Sequence, residues 1–289
     1  MHLQSKFDSG EFLYLAEIEP PKGVDVSDML KNAKQLKGKI DAFIVPEMSN
    51  AVMRMSSLGA SLLLKNNGLN PIFQVCCRDR NRLALQADLL AAGAAGITHV
   101  MAVAGEDPSF GDHHQTKAVY DIDLMGLLKG IQQLQEGRDM AGIDLSGAPK
   151  FVVGSTLNSG LSGQALEMEL KEMSAKMAGG VSFFITPPLF DISTMKSFLS
   201  RIDLSKTRII PTVLLLKSVG MARYMARNVD HVHIPDEIIT RIQKAPDKIR
   251  ECVSIAAETL STLKESGFGG AVLSTIGWED KIPEILEKI

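Results

Sequence analysis

The chain has 289 residues, 45% of them hydrophobic, with a formal net charge of −3 and a pI near 6.1. Lys and Arg total 31 against 34 Asp and Glu, with no basic run, which argues against a nucleic-acid partner. The longest apolar runs are too short to span a bilayer, and no apolar signal segment follows Met1-His2-Leu3-Gln4-Ser5-Lys6, so a cytoplasmic protein without a membrane partner is expected.

Short β-rich apolar runs alternate with amphipathic helical patterns along the whole chain. The expected strands are 12–18, 41–46, 71–76, 98–104, 150–154, 181–186, 208–214 and 270–274. In the first, Leu13, Leu15 and Glu17 fall on one face by the period of two, and Pro20-Pro21 stop the strand because neither can donate to a ladder. Helical faces follow at Val26, Met29, Ala33 and Leu36, at Leu166, Leu170, Met173 and Met177, and at Ile249, Cys252, Ala256, Leu260 and Leu263; at this spacing they read as core stripes. Eight strands alternating with helices predict an α/β fold, a (β/α)8 TIM-type barrel forming a single domain over 1–289, with a doubly wound open sheet as the alternative. Two connections stand out. The segment 105–120 is long and polar, and 154–163 is rich in Ser, Asn and Gly; loops of this kind above a barrel mouth carry function.

The chemistry is expected at strand ends. A carboxylate that closes a buried strand, as Glu17 does, is costly to desolvate unless it is paired or used, although an exposed turn carboxylate has the same spacing. Ala104-Gly105-Glu106-Asp107-Pro108 sets two carboxylates directly after strand four, where Glu17 and Glu106 or Asp107 would face one ligand; a plain turn uses the same residues. Ile185-Thr186-Pro187-Pro188-Leu189-Phe190-Asp191 ends strand six, with Asp191 or Ser193 as an N-cap. His231 and His233 flank Val232 at a strand-like spacing and His113-His114 lies in a loop, but no zincin spacing accompanies them and no metal is assigned. Cys76, Cys77 and Cys252 form no CxxC pair and read as buried small hydrophobes. No Gly-x-Gly-x-x-Gly, Walker A or Gly-x-Ser-x-Gly motif is present.

Taken in order, these motifs resemble those of the methylenetetrahydrofolate reductase family over roughly residues 12–285. Glu17-Ile18-Glu19-Pro20-Pro21 is similar to its Glu-x-x-Pro-Pro signature, and Cys77-Arg78-Asp79-Arg80-Asn81-Arg82 to a Cys-Arg-Asp-Arg-Asn-Arg run after strand three in one branch. Ala104 to Pro108 resembles Arg/Ser-Gly-Asp-x-Pro, Val119 to Leu124 resembles Tyr-Ala-x-Asp-Leu, and Lys176 with Gly179-Gly180 and Thr186 to Asp191 resembles Lys-x-x-Ala-Gly-Ala followed by Thr-Gln-Pro-x-Phe-Asp. The resemblance implies a flavin on the barrel mouth and reduction of 5,10-methylenetetrahydrofolate to 5-methyltetrahydrofolate. It makes Glu17 the general acid, places Glu106 at the flavin and the pterin, and assigns flavin contacts to Gln74, Ala104, Gly105, Tyr120, Glu169 and Lys176 and folate contacts to Pro187 and Phe190. A solvated helix lysine is the plain alternative for Lys176. FAD is the first expectation, with FMN or no flavin as alternatives; NAD(P)H or a partner subunit would supply electrons, and an oligomer is expected. Departures from the pattern are Glu106 for aspartate, Ala104 for arginine, Pro187 for the folate-contacting glutamine, a shorter loop at Val45-Pro46-Glu47-Met48-Ser49, Pro211-Thr212-Val213 for Pro-Gly-Ile, and no match for several adenosine contacts. They leave two other functions open: a folate-binding subunit of a larger complex, and a flavin-free tetrahydrofolate-dependent methyltransferase.

Overall fold

In the computed structural model, which describes residues 2–289, eight parallel strands close into a barrel in sequential order. The order is α1 (His2–Ser9), β1 (Leu13–Glu17), α2 (Ser27–Gln35), β2 (Ala42–Val45), α3 (Ser57–Asn66), β3 (Pro71–Cys76), α4 (Arg82–Ala94), β4 (His99–Val103), α5 (Leu124–Gln135), β5 (Val152–Thr156), α6 (Gly163–Ala178), β6 (Val181–Pro188), α7 (Lys196–Leu199), β7 (Arg208–Leu214), α8 (Val219–Asn228), α9 (Asp236–Lys244), α10 (Lys248–Glu265), β8 (Gly270–Ser274) and α11 (Ile282–Leu286). β8 closes the barrel on β1 through the register Leu13↔Gly270 to Ala16↔Leu273.

The period of two divides the apolar residues into two cores. Leu13, Leu15, Ile72, Met101, Phe183 and Ile210 belong to a cluster inside the barrel. Their neighbours, such as Ala16, Phe43, Phe73 and Phe184, pack outward beneath the helices. Gly154 is small for a reason: a Cβ there would lie 2.2 Å from the Phe183 ring, so the glycine makes room for Phe183 in the interior. α1 seals the bottom. Its Phe7 ring lies 5.2 Å from that of Phe183, and Arg208, at the start of β7, donates to Phe7 O at 2.8 Å. The open end is therefore the C-terminal end of the strands, where the loops enter their helices through side-chain caps such as Asn81, Asp123 and Ser218.

The eight expected strands are all present, with shifted ends. β5 runs Val152–Thr156, two residues later than expected, so Gly154 is in the strand and Thr156 ends it. β6 continues through Pro187 and Pro188 with a register shift before Pro188, whose partner is Thr212. The prolines are accommodated because ladder bonds lapse at that irregularity. Two expected core positions are exposed: Met177, in the last turn of α6, and Ile249, in the first turn of α10. Terminal turns have fewer neighbours to cover them, and in α6 the buried place is taken by Lys176. His231 and His233 lie in the loop between α8 and α9, with His231 at φ 65°, so their spacing is not that of a strand. Asp191 caps the 3-10 turn Ile192–Met195, and the three cysteines are buried and unbridged, as expected. Among the described residues no helix is long and apolar enough to cross a membrane.

Candidate active site at the barrel mouth

Glu17 is the last residue of β1 and follows Leu13 and Leu15 on the inward face, so strand geometry alone carries its carboxyl to the top of the interior. Ser274, the last residue of β8, donates from Oγ to Glu17 Oε1 at 3.1 Å. Burial pushes the Glu17 carboxyl above its ordinary range, and the nearby acids Glu19 and Glu279 add to the rise; the Ser274 hydrogen bond opposes it. Two residues on, Glu19 pairs with Arg54 at 2.9 Å, yet burial still raises its pKa.

Glu17 lines a cavity of about 480 Å³ with Met101 and Ile185 from the interior, Thr156 at the end of β5 and Asn158 after it, Glu169, Glu172 and Lys176 of α6, Thr186 and Pro187 of β6, and His231. Lys176 is only 3% exposed. Its Nζ donates to Thr156 O at 2.9 Å and pairs with Glu172 at 2.7 Å, one helical turn away. It is a buried cation at the mouth and not a solvated helix lysine. Glu169 Oε1 accepts from Asn158 N at 3.0 Å and so ties the loop after β5 to α6. A second cavity of about 470 Å³ shares Asn158, Pro187 and His231 with the first and is lined by Phe190.

The opposite corner, between β2, β3 and β4, is built on Arg78. This side chain is 1% exposed and holds Asp79 through Nε and a second nitrogen at 2.8–3.1 Å. It also reaches Glu106 at 3.2 Å and the carbonyls of Glu47 and Met48 at 3.3 and 3.2 Å. Arg80 pairs with the buried Glu47 at 3.1 Å and with Asp88 at 2.8 Å, while Arg82 takes Asp121. The charged run after β3 is thus a frame for three loops. Gly105 belongs to it: its φ is +91°, and a Cβ would lie 2.4 Å from Cys76 Sγ and 2.8 Å from Arg78 Cβ. Tyr120 donates from its hydroxyl to Gly105 O at 3.0 Å. Gln74 Oε1 accepts from Glu47 N at 2.7 Å, which fixes the face its amide presents.

The family model for methylenetetrahydrofolate reductase matches residues 2–289, with the strand-end motifs in place on this barrel. The chain belongs to the methylenetetrahydrofolate reductase family. Among solved structures it is similar to an F420-dependent secondary alcohol dehydrogenase in complex with an F420-acetone adduct, at 12% identity and a TM-score of 0.59, covering 96% of this chain and 98% of that one. It is also similar to EDTA monooxygenase from Chelativorans sp. BNC1, at 10% identity and a TM-score of 0.55, covering 96% and 93%. At such identities these likenesses describe the barrel fold. No match was found among the curated proteins.

Within this member of the reductase family, Glu17, Glu169, Lys176 and Pro187 converge on one cavity. Among the described residues that line it, Gln74, Ala104, Gly105, Glu106 and Tyr120 are not included, and Phe190 lines the neighbouring space. Glu106 is half exposed and pairs with Arg78, and it is not among the residues lining the cavity that holds Glu17. Reading the residues one by one did not single out Ser274, Thr156 or Arg54. Ser274 is an ordinary strand-end hydroxyl that meets Glu17 only because β8 closes on β1, and Thr156 serves through its backbone carbonyl, which accepts from Lys176.

Proposed function

We propose that this chain reduces 5,10-methylenetetrahydrofolate to 5-methyltetrahydrofolate with Glu17 as the general acid. The observation that carries the reading is a carboxyl at a barrel mouth, held above its ordinary pKa by burial, in a chain of this family. A carboxyl whose proton is held more tightly than usual is suited to giving it to a folate nitrogen, which opens the methylene bridge toward the reducible iminium. Glu106, held by Arg78 at the rim, supplies negative charge for an amino-pyrimidine edge or a developing cation.

The cavity fits the ring system of a flavin. It has apolar walls at Met101 and Ile185, polar groups around its edge and a volume of about 480 Å³. Glu169 and Lys176 would hold the flavin there and Pro187 would face the folate, while Gln74, Ala104, Gly105 and Tyr120, the other proposed flavin contacts, stand apart on the β3–β4 side. When bound, a flavin supplies a stored hydride. The diphosphate of FAD does not fit the same cavity: Glu169 and Glu172 outnumber Lys176, whose Nζ is already taken by Glu172 and Thr156 O. FAD is the flavin we propose, and its phosphates would have to be held outside this cavity. The protein is proposed to be cytoplasmic and oligomeric, and to take electrons from NAD(P)H or a partner subunit.

The test is the spectrum of the purified protein, extraction and mass identification of its cofactor, and reoxidation of the reduced protein by methylenetetrahydrofolate. A yellow protein reoxidised by that substrate is expected. A colourless protein that ignores added FAD and FMN would overturn the reading. The charge mismatch at Lys176 favours one second reading, a folate-binding subunit active only in a complex, which activity dependent on a co-purifying partner would reveal.

A further inference from the structure

Glu17 has two carboxyl oxygens, and the protein engages one of them. Ser274 Oγ lies 3.1 Å from Oε1, whereas Oε2 has no hydrogen-bond partner among the described residues. Ser274 is well placed to be selective. It is 6% exposed, its backbone is in register with Leu214 of β7, and its carbonyl accepts from Leu215 N at 2.9 Å. Its hydroxyl makes no other hydrogen bond among the described residues. A hydroxyl can donate to a carboxylate and rotate to accept from a carboxylic acid, so one side chain serves both protonation states without moving its backbone.

We propose that Ser274 is the positioning residue of Glu17: it occupies Oε1, leaves Oε2 to carry the proton into the cavity, and sets the pH at which that proton is released. This rests on the acid role proposed above for Glu17. In the step, the O–H bond at Oε2 breaks as an N–H bond forms on the folate. The bonding electron pair stays on Glu17, and the new carboxylate is met by the Ser274 O–H. The other charged groups around Glu17 act through space. They are Glu19 just after β1, Glu279 after β8, Arg54 and Lys217 beside Glu19, and Glu169, Glu172, Lys176 and His231 around the cavity. Among the described residues, Ser274 alone gives the carboxyl a hydrogen bond.

The experiment is an infrared titration of the Glu17 carboxyl, isolated as the difference between each protein and its Glu17→Gln counterpart, in Ser274→Ala and Ser274→Thr. Loss of the donor disfavours the ionised form, so Ser274→Ala is expected to raise the midpoint by about one pH unit. The alkaline limb of kcat should move up with it, kcat at its optimum should fall about three- to tenfold, and KM should stay nearly constant. Ser274→Thr, which keeps the hydroxyl, should restore both midpoint and limb. An unmoved midpoint in Ser274→Ala overturns the proposal whatever the activity. Full turnover in Glu17→Gln overturns the acid role instead, and is read separately from the titration.

Discussion

On the β1–β8 side of the mouth, Glu17 is half-buried against a single hydroxyl, with acids for neighbours; on the β3–β4 side, Glu106 reaches outward from a turn and is gripped by a buried guanidinium. Glu17 closes β1 and Glu106 stands in the turn just after β4, and a strand-end reading treats them alike. The surroundings separate them. Burial without a counter-charge makes ionisation of Glu17 costly, which suits proton donation. A buried arginine with carbonyls and Asp79 around it makes the other corner a rigid frame, which suits orientation. Two acids at one mouth thus serve different purposes because one faces a cavity and the other a cation.

The largest effect that tests this contrast is on the frame. Arg78→Met leaves Asp79 and two carbonyls unpaired around an apolar side chain, and should cost about 3–5 kcal/mol in denaturant unfolding; a loss under about 1 kcal/mol would mean the corner does not depend on Arg78. Next comes the acid. Glu17→Gln should keep the fold, as seen by circular dichroism, and reduce methylenetetrahydrofolate reduction about 10²-fold or more. Near-normal turnover would remove Glu17 from the acid role. Smaller is Glu106→Gln: as an exposed partner it should change stability by less than about 1 kcal/mol, while turnover falls about tenfold if it meets the substrate.

The smallest effect concerns pH. The folded pKa of Glu17 is raised above its unfolded value, so its contribution to stability is full below the unfolded value and is lost as pH rises through the folded one. The wild type should therefore lose stability relative to Glu17→Gln across that window. Thermal melts of the two proteins from about pH 4 to about pH 9 would show the gap opening; a constant gap would mean that Glu17 is not desolvated.

Much of this was legible in the residues. The alternation at Leu13, Leu15 and Glu17 is a local property, and so is the stop at Pro20-Pro21; the strand and its inward carboxyl follow from them without knowledge of the rest of the fold. Helix faces were readable in their middles and failed at their ends, as at Met177 and Ile249, because cover there depends on neighbours and not on period.

By itself, then, the sequence determined that eight strands alternate with helices and that acidic side chains stand at or just after the ends of two of them. Tertiary structure alone decided what those acids touch. Ser274 stands 257 positions from Glu17 and meets it only because β8 closes on β1. Lys176 is spaced like any surface lysine and is buried because α6 packs it toward Thr156. Arg78 sits in a run of charges and is enclosed because three loops converge on it. The physical reason is common to all three: periodicity records which face of an element is apolar, whereas the partner of a polar group is set by where the closed barrel brings distant strand ends together.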